Sequence, residues 1–303
     1  MAAAEQTCYR HPDRVTGLSC SECGRPICTE CMTMAPVGLR CPEHSGKPQG
    51  VQRVTRGVQR AAVGGATAKV TRALIGLNVA VYVAELAQGA GVNATQGSIY
   101  QDGVLIANGN KLAGTVTPPV FPGTPEVGVA HHQYWRLITA AFLHYGPIHL
   151  LMNMLALYWF GSLLERRIGS AKYLLLYLVS GLAGSAGALL ASPLRPTVGA
   201  SGAIFGVLGA GLVLERQRDY VFGGSAVGII VINLVLTFSI ANISIGGHIG
   251  GLIGGAIAAL GMTRFGRSHA AYGRAGALGV ATMVFVGIAS VVIAYLKAKG
   301  YRA

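Results

Sequence analysis

The sequence predicts an all-α polytopic membrane protein, in which a bundle of apolar helices follows a small cysteine-rich module. Hydrophobic residues make up 52% of the 303 residues and charged residues only 12%, whereas soluble domains carry about 25% charged residues. The apolar residues form runs of about 16 to 22, and a helix needs about 20 residues to cross the hydrocarbon core. All six cysteines lie within residues 1–46. These observations separate an N-terminal module from a membrane domain.

The formal net charge of +13 raises the question of nucleic-acid binding, because a basic surface is the footprint of phosphate recognition. The basic residues fall mostly in short loops between apolar runs, which is where membrane topology concentrates Lys and Arg. We therefore expect a lipid bilayer as the environment and no nucleic-acid partner. Residues 1–46 are polar rather than a basic start followed by an apolar core, so we expect no cleavable signal peptide and a cytosolic N-terminus.

The N-terminal module contains four pairs of metal-ligating residues, each pair separated by two residues. The pairs are Cys8-x2-His11, Cys20-x2-Cys23, Cys28-x2-Cys31 and Cys41-x2-His44. Eight such ligands suffice for two tetrahedral zinc ions, and they leave no open position for a catalytic water. A segment this short also needs staples, because it cannot bury an adequate core. A disulfide framework is the alternative, but it requires an oxidising compartment and leaves the histidines unexplained.

The order of these pairs resembles B-box-type zinc modules, whose two sites are interleaved. The resemblance implies two ligand sets: Cys8, His11, Cys28 and Cys31 for one ion, and Cys20, Cys23, Cys41 and His44 for the other. Spacing alone leaves this pairing open. We expect two structural zinc ions, no cofactor for catalysis, and a docking or regulatory role with a cytosolic protein partner.

The membrane domain is predicted over residues 73–303, after a basic segment at 47–72. That segment is either a flexible linker or an amphipathic stretch lying on anionic headgroups. Apolar helices are predicted at about 73–90, 148–164, 171–191, 200–214, 224–241, 247–262 and 275–296. The segment 91–147 is rich in Gly, Pro, Thr and Asn, and a connection of that length is usually functional or disordered.

The orientation follows from the basic residues that flank the predicted helices. With the N-terminus inside, cytosolic segments carry fourteen Lys and Arg residues and external segments carry six. This asymmetry predicts a multi-pass protein of the plasma membrane with a cytosolic N-terminus. The C-terminal tail does not follow this asymmetry, because seven membrane spans place its three basic residues outside. In this topology Ser201, His149, Asn153 and His248 all lie near the external ends of their helices.

These four residues supply the parts of an acyl-transfer site. A serine becomes a nucleophile when an imidazole within hydrogen-bond reach takes its proton, and Ser201 and His248 form the candidate pair. Small-residue stripes, Gly202-x3-Gly206 and Gly247-x3-Gly251-x3-Gly255, let their helices approach closely. No acidic residue is expected at this depth, which favours a Ser–His dyad over a triad, although the loop acids Asp102 and Glu126 stay open as third members.

An oxyanion also needs donors, and His149 and Asn153 lie four residues apart on one helix face. The backbone N–H of Ser201, near a helix start, adds another donor. A lone membrane serine, histidine or asparagine more often serves as a helix contact or an interfacial anchor. The shared depth and side of all four residues favours the catalytic interpretation.

The same residues resemble the signature motifs of the rhomboid family of intramembrane serine proteases. The motifs are Gly199-Ala200-Ser201-Gly202, His149-x3-Asn153, Gly247-His248-x-Gly250-Gly251, Trp135-Arg136 and Glu165-x-Arg167. The resemblance covers about residues 73–296. It implies a six-helix bundle with one extra C-terminal helix and a water-filled cavity open to the outside. It also implies Ser201 as nucleophile, His248 as base, and oxyanion roles for His149, Asn153 and the Ser201 amide. Substrates would be single-pass membrane proteins, cut near the external boundary, often after a small residue in a locally unstable helix.

One position departs from the family pattern: Phe205 stands where many members carry tyrosine. It can stack on His248 but cannot donate a hydrogen bond, so we expect activity with a more apolar substrate pocket.

Two other functions are considered. A membrane-anchored adaptor or client-binding protein would work through the zinc module. A transporter would use the intramembrane polar residues as a permeation path, but the sequence contains no convincing internal repeat.

Overall fold

The computed structural model describes residues 6–34, 38–44, 68–89, 92–93, 95–119, 123–240, 243–267 and 277–301. These residues fall into two compact units, one within Met1–Ala66 and the other within Thr67–Ala303. Most of the basic segment predicted at 47–72 lies outside the described residues, so its two interpretations stay open.

The N-terminal unit is built from short antiparallel strand pairs around a cluster of cysteines. Its strands are β1 (Thr7–Cys8), β2 (His11–Val15), β3 (Thr33–Met34) and β4 (Leu39–Arg40), paired as β1 with β2 and β3 with β4. Its buried apolar residues are five of the six cysteines and Ile27. A core this small cannot stabilise a unit by hydrophobic burial alone.

The second unit is helical, as the sequence predicts. Its main helices are α1 (Lys69–Ala87), α4 (Pro147–Ile168, with a π-helical turn at Leu157–Gly161), α5 (Ser170–Ala191), α6 (Ser201–Arg216), α7 (Ala226–Ser239), α8 (Ile245–Arg267) and α9 (Ala277–Lys299). Two short helices, α2 (Ser98–Gly103) and α3 (Arg136–Thr139), belong to the connection between α1 and α4. The helix bounds lie close to those that hydrophobicity predicts.

Five of the described helices are long and apolar enough to cross a membrane: α1, α4, α5, α8 and α9. The helices α6 and α7 are shorter, with 16 and 14 residues. At 1.5 Å per residue, α6 is roughly 24 Å long, which is less than a hydrocarbon core of about 30 Å. Helix α6 is therefore too short to span a hydrocarbon core by itself.

Helix α6 forms the centre of the helical unit. From Ala203 onward, all but one of its residues up to Leu214 are buried, the exception being Leu212. Helices α5 and α8 pack against it through glycines. Such small residues replace side-chain interdigitation with backbone contact, which is the usual way that helices approach closely in membranes.

The long connection between α1 and α4 is folded over most of its described length. It contains α2 and a three-stranded antiparallel sheet in the order β6-β5-β7, with β5 at Gly109–Leu112, β6 at Thr115–Thr117 and β7 at Glu126–Val127. Its apolar residues pack against the ends of α5 and α9 in one buried cluster. The described residues of this segment are ordered, so the expectation of disorder does not hold for them.

Glu165 joins the start of α1 to the end of α4. Its carboxylate accepts hydrogen bonds from the backbone N–H of Val70 at 2.9 Å and of Thr71 at 2.8 Å, and from the Ser170 hydroxyl at 2.6 Å. A carboxylate at a helix N-terminus satisfies unpaired N–H groups and interacts favourably with the helix dipole. Arg167, the other charged residue of this motif, forms an ion pair with Asp219 at 2.6 Å.

Candidate active site and candidate metal centre

Ser201 and His248 are in direct contact, although 47 positions separate them in the sequence. The hydroxyl Oγ of Ser201, the first residue of α6, lies 2.8 Å from Nε2 of His248 in the first turn of α8. This distance is typical of a hydrogen bond to a hydroxyl. It is also the arrangement of a nucleophile with its general base.

Glycines on the facing sides of α6 and α8 make this contact sterically accessible. A Cβ atom on Gly251 would overlap the carbonyl oxygen of Gly202, and one on Gly255 would overlap that of Gly206. Any side chain at these positions would push the two helices apart. The small-residue stripes therefore set the distance that brings the imidazole to the hydroxyl.

The imidazole of His149 lies against Gly199, two residues before Ser201 at the start of α6. A Cβ on Gly199 would lie 2.7 Å from Cε1 and 2.9 Å from Nε2 of His149, and 3.7 Å from Oγ of Ser201. Gly199 also has a φ of +123°, a backbone conformation that side chains disfavour. Glycine at this position thus allows the imidazole of His149 to approach the serine.

The tautomer of His149 follows from its neighbours. Its Nδ1 accepts a hydrogen bond from the backbone N–H of Tyr145 at 3.2 Å. The neutral ring therefore carries its proton on Nε2, the nitrogen that faces Gly199. This N–H group is available as a donor close to Ser201.

Asn153 is buried one turn further along α4. Its side-chain nitrogen donates to the backbone carbonyl of His149 at 2.9 Å. An amide nitrogen carries two hydrogens, so one donor is used within the helix and the other is left for a further partner. The local bond fixes the rotamer of Asn153.

Phe205 stacks on the catalytic candidate His248, as the sequence comparison with the family pattern implies. The two rings are 4.1 Å apart between centroids, with an interplanar angle of 17°. Phe205 is buried. The Phe205 ring therefore packs against one face of the imidazole and forms no hydrogen bond with it.

The other nitrogen of His248 contacts a residue that the sequence interpretation did not include. Its Nδ1 lies 2.7 Å from Oγ1 of Thr237 on α7. The two loop acids considered as third members of a catalytic triad contact other groups. Asp102 forms an ion pair with Lys111 at 2.5 Å, and the carboxylate of Glu126 lies 3.3 Å from Nε2 of His131. A threonine in an apolar helix is common, so Thr237 gives little signal in the sequence.

Arg136 organises the connection that precedes α4. Its guanidinium donates to the carbonyl of Val104 at 2.7 Å and to the side chain of Gln133 at 2.6 Å. Burial lowers the pKa of Arg136 to about 10, so this residue stays charged at neutral pH. The neighbouring Trp135 donates its indole N–H to the carbonyl of Asp102 at 2.9 Å.

His144 is a second buried histidine near the site. Its ring centroid lies 5.1 Å from that of His149. Burial lowers the pKa of His144 to about 3, with the nearby His149 as a smaller cause. His144 is therefore neutral at physiological pH and adds no positive charge beside His149.

The cysteines and histidines of the N-terminal unit form two groups of four. The ligand atoms within each group all lie within 4.8 Å of one another. One group consists of Cys8, His11, Cys28 and Cys31, and the other of Cys20, Cys23, Cys41 and His44. These are the two interleaved sets that the resemblance to B-box modules implies.

The distances within these groups fit a tetrahedral metal ion. Around an ion with metal–sulfur bonds of about 2.3 Å, tetrahedral geometry places neighbouring sulfurs roughly 3.8 Å apart. The Sγ atoms of Cys23 and Cys41 are 3.8 Å apart, and Nδ1 of His11 lies 3.4 Å from Sγ of Cys28. A disulfide requires about 2.05 Å, and all six cysteines are unpaired. The donor set therefore fits metal binding and not disulfide formation.

Comparison with known proteins gives a family match and several relatives. Residues 131–265 match the family described as Rhomboid domain. The chain is 44% identical over 158 residues to "Rhomboid protease GluP" of Bacillus subtilis (strain 168), covering 50% of this chain and 31% of GluP. It is 38% identical over 135 residues to "Putative rhomboid protease YdcA" of the same organism, covering 43% of this chain and 68% of YdcA. It is 38% identical over 132 residues to "RHOMBOID-like protein 2" of Arabidopsis thaliana, covering 42% of each chain. The matched part is thus under a third of GluP and over two thirds of YdcA.

Proposed function

Because the chain belongs to the rhomboid family, we propose that it is an intramembrane serine endopeptidase with Ser201 as nucleophile and His248 as general base. The observation that carries this proposal is the 2.8 Å contact between Oγ of Ser201 and Nε2 of His248. Its reaction is the hydrolysis of a peptide bond. No cofactor takes part in catalysis.

The reaction begins when Nε2 of His248 takes the proton of the Ser201 hydroxyl. Oγ of Ser201 then forms a bond to the carbonyl carbon of the substrate, whose oxygen becomes an oxyanion. His248 returns the proton to the leaving amine as the C–N bond breaks, which leaves an acyl-enzyme on Ser201. A water molecule, deprotonated by the same imidazole, hydrolyses the acyl-enzyme and regenerates the serine.

The oxyanion is stabilised by donors around the start of α6. The Nε2–H of His149 faces this position, because Tyr145 holds the proton away from Nδ1. The backbone N–H of Ser201 is among the first of a helix and has no intrahelical partner. Asn153 supplies its second amide hydrogen, while its first keeps the side chain in place. Loss of one such donor typically costs about 10²–10³ in rate.

We propose single-pass membrane proteins as substrates, cut near the external boundary of the membrane. The short α6 supports this proposal, since Ser201 begins a helix that is too short to span the hydrocarbon core. Water therefore needs to reach Ser201 from only one side of the membrane. We propose a cytosolic N-terminus and an active site towards the external side of the plasma membrane, and the distribution of the basic residues supports this orientation.

For the N-terminal unit we propose a B-box-like module that binds two structural zinc ions. Eight ligands in two closed tetrahedral sets leave no position for a reactive water. The ions would supply folding energy to a unit that lacks an adequate core. We assign this module to residues 1–46. The protease domain begins with α1 at Lys69, four residues before the predicted start at 73, so the last four residues of the basic segment predicted at 47–72 belong to the helical unit.

The module's role would be to bind a cytosolic protein, which is the adaptor function considered beside proteolysis. Among its described residues, three surface ion pairs, such as Arg25 with Glu43 at 2.7 Å, leave a polar surface of mixed charge. The match to the Rhomboid domain covers residues 131–265 and none of the module, so the module's partner is distinct from the protease substrate. A pull-down with the full chain, compared with the Cys28→Ser variant, tests this function.

The test of the protease is cleavage of a tagged single-pass reporter by the purified chain in detergent and in liposomes. We expect cleavage near the external boundary of the reporter helix. Ser201→Ala should lower the rate by about 10⁴-fold or more, because the nucleophile and base act as a unit. The matched control is Ser290→Ala, which removes a buried hydroxyl of α9 bonded only to its own helix, to the carbonyl of Val286.

Unchanged cleavage by the Ser201→Ala variant would refute the proposed nucleophile. Equal loss in the Ser290→Ala variant would mean that removing any buried hydroxyl damages the fold. Comparison of membrane proteins from cells with wild-type and Ser201→Ala protein then identifies the substrates by their released external domains.

A further inference from the structure

We propose that Thr237 is a positioning residue that holds His248 in the one tautomer able to accept the proton of Ser201. This inference rests on the proposed protease function. It concerns the third member behind the base, for which the sequence left only the loop acids Asp102 and Glu126 open.

Three consecutive hydrogen bonds support the assignment. Oγ of Ser201 is 2.8 Å from Nε2 of His248, Nδ1 of His248 is 2.7 Å from Oγ1 of Thr237, and the Thr237 hydroxyl donates to the carbonyl of Asn233 at 2.7 Å. Both Thr237 and His248 are buried. The bonds therefore form in a place where an unsatisfied polar group is costly.

The direction of the chain follows from the number of hydrogens. A threonine hydroxyl has one hydrogen to donate, and a neutral imidazole has one N–H and one acceptor nitrogen. If Thr237 donated to Nδ1, its bond to Asn233 would be lost. All three bonds form together only when Nδ1 carries the proton and donates to Thr237. In that tautomer Nε2 is free to accept from Ser201.

This is the orienting role of the acid in a Ser-His-Asp triad, performed by a neutral oxygen. The acid of a triad holds the tautomer and stabilises the imidazolium, and it does not take the proton itself. Thr237 likewise takes no proton: the Ser201 proton moves to Nε2, and the Nδ1 proton stays in place. The hydroxyl oxygen accepts a bond that becomes charge-assisted when the imidazolium forms, and such bonds are stronger than neutral ones.

The location of Thr237 also matters for how the site is assembled. Ser201, His248 and Thr237 lie on three different helices, α6, α8 and α7. Helix α7 presents several large apolar side chains to the surroundings, among them Ile232 and Phe238. Its polar contact with His248 therefore connects a peripheral helix to the base, and the position of α7 decides whether that bond forms.

The experiment compares Thr237→Val, which keeps the shape and removes the hydroxyl, with Thr237→Ser, which keeps the hydroxyl. We expect Thr237→Val to lower kcat by about 10- to 100-fold with little change in KM, because a bond to a charged group is lost in the transition state. The acidic limb of its kcat profile should move to lower pH, since the imidazolium loses an acceptor. Thr237→Ser should restore most of the rate and the wild-type profile.

The matched control is Thr282→Val on α9. The Thr282 hydroxyl also donates to the carbonyl four residues earlier, that of Leu278, at 2.9 Å. We expect this variant to keep the wild-type kcat and pH profile. An equal loss in both valine variants, a Thr237→Val enzyme with wild-type kcat and profile, or a failure of Thr237→Ser to rescue would each overturn the inference.

A measurement without turnover separates this inference from the proposed function. In the purified full chain, ¹⁵N NMR of the histidine rings should show His248 with its proton on Nδ1, and Thr237→Val should populate the Nε2–H form. Wild-type protein with His248 mainly in the Nε2–H form would refute the role of Thr237 even if cleavage occurs. A chain that cleaves no reporter but shows the Nδ1–H tautomer, lost in Thr237→Val, would contradict the protease and leave the positioning role intact.

Discussion

The two candidate centres of this chain are built in opposite ways. In the N-terminal unit, each ligand pair comes from one turn of chain, such as Cys41 and His44, whose Sγ and Nδ1 lie 3.1 Å apart. In the helical unit, Ser201 and His248 meet only because two helices pack at backbone distance. Local spacing therefore encodes each ligand pair of the first centre, and the fold combines two pairs into each group of four, whereas every contact of the second centre depends on how distant helices are arranged.

This contrast has consequences for what a mutation does. Removing a metal ligand should affect one unit and spare the other, because the contacts divide the chain into separate units. Changing a glycine between α6 and α8 should disable the site without touching a catalytic residue. The predictions below test these statements, in order of decreasing effect on cleavage.

The largest effect is expected for His248→Ala. Without the imidazole, no group takes the proton of Ser201, and we expect cleavage to fall by about 10⁴-fold or more. Rates on a single-pass reporter and labelling of Ser201 by a fluorophosphonate both measure this loss. His132→Ala, at an exposed histidine outside the site, serves as control. Persistent labelling and cleavage in His248→Ala would exclude this histidine as the base.

Gly251→Ala tests the helix packing on which the site depends. Its Cβ would overlap the carbonyl oxygen of Gly202, so α6 and α8 must separate. We expect a loss of about 1–3 kcal/mol in unfolding free energy and a fall in cleavage of about 10²-fold, the cost of misplacing reacting groups by about 1 Å.

The matched control is Gly228→Ala on α7, where a Cβ would meet no atom within 4 Å. This variant should be neutral or slightly more stable, because alanine is the better helix former by about 1 kcal/mol. Thermal unfolding in detergent and reporter cleavage measure both variants. If Gly251→Ala behaves like Gly228→Ala, close packing does not set the Ser201–His248 distance.

Asn153→Ala tests the weakest member of the oxyanion group. Its amide uses one hydrogen for the carbonyl of His149, and the second is the one proposed for the oxyanion. We expect kcat to fall by about 10-fold, less than the 10²–10³ typical of a dedicated donor. The corresponding His149→Ala variant should reach that larger range. The reverse order of the two effects would assign the main oxyanion donor to Asn153.

The smallest effect on cleavage is expected for Cys28→Ser, although this variant removes a metal ligand from the N-terminal unit. The variant removes one thiolate from the group with Cys8, His11 and Cys31. We expect bound zinc to fall from two ions to one per chain, measured by elemental analysis, with reporter cleavage within about twofold of wild type because structural sites hold no reactive water. A comparable loss of cleavage would show that the module takes part in catalysis or in folding of the helical unit.

Much of the candidate site was predictable, because its residues carry recognisable local patterns. The serine between glycines, the histidine–asparagine pair one turn apart, and the glycine stripes all point to a polar site between closely packed helices. Thr237 and His144 were not predicted. A threonine is common in apolar helices, and a histidine in a connecting segment gives no periodic signal, so neither stands out until its neighbours are known.

The sequence by itself determined the two parts of the chain, the apolar helices and the metal ligands, since hydrophobic periodicity and two-residue ligand spacing are local properties. Tertiary structure alone decided which nitrogen of His248 carries a proton and which residue lies behind the base. Those properties depend on hydrogen bonds between segments far apart in the chain, such as Thr237 with His248, and no local pattern specifies them. The order of the described residues of the 91–147 connection is of the same kind, because the buried hydrogen bond from Arg136 to the carbonyl of Val104 outweighs a composition that is compatible with disorder.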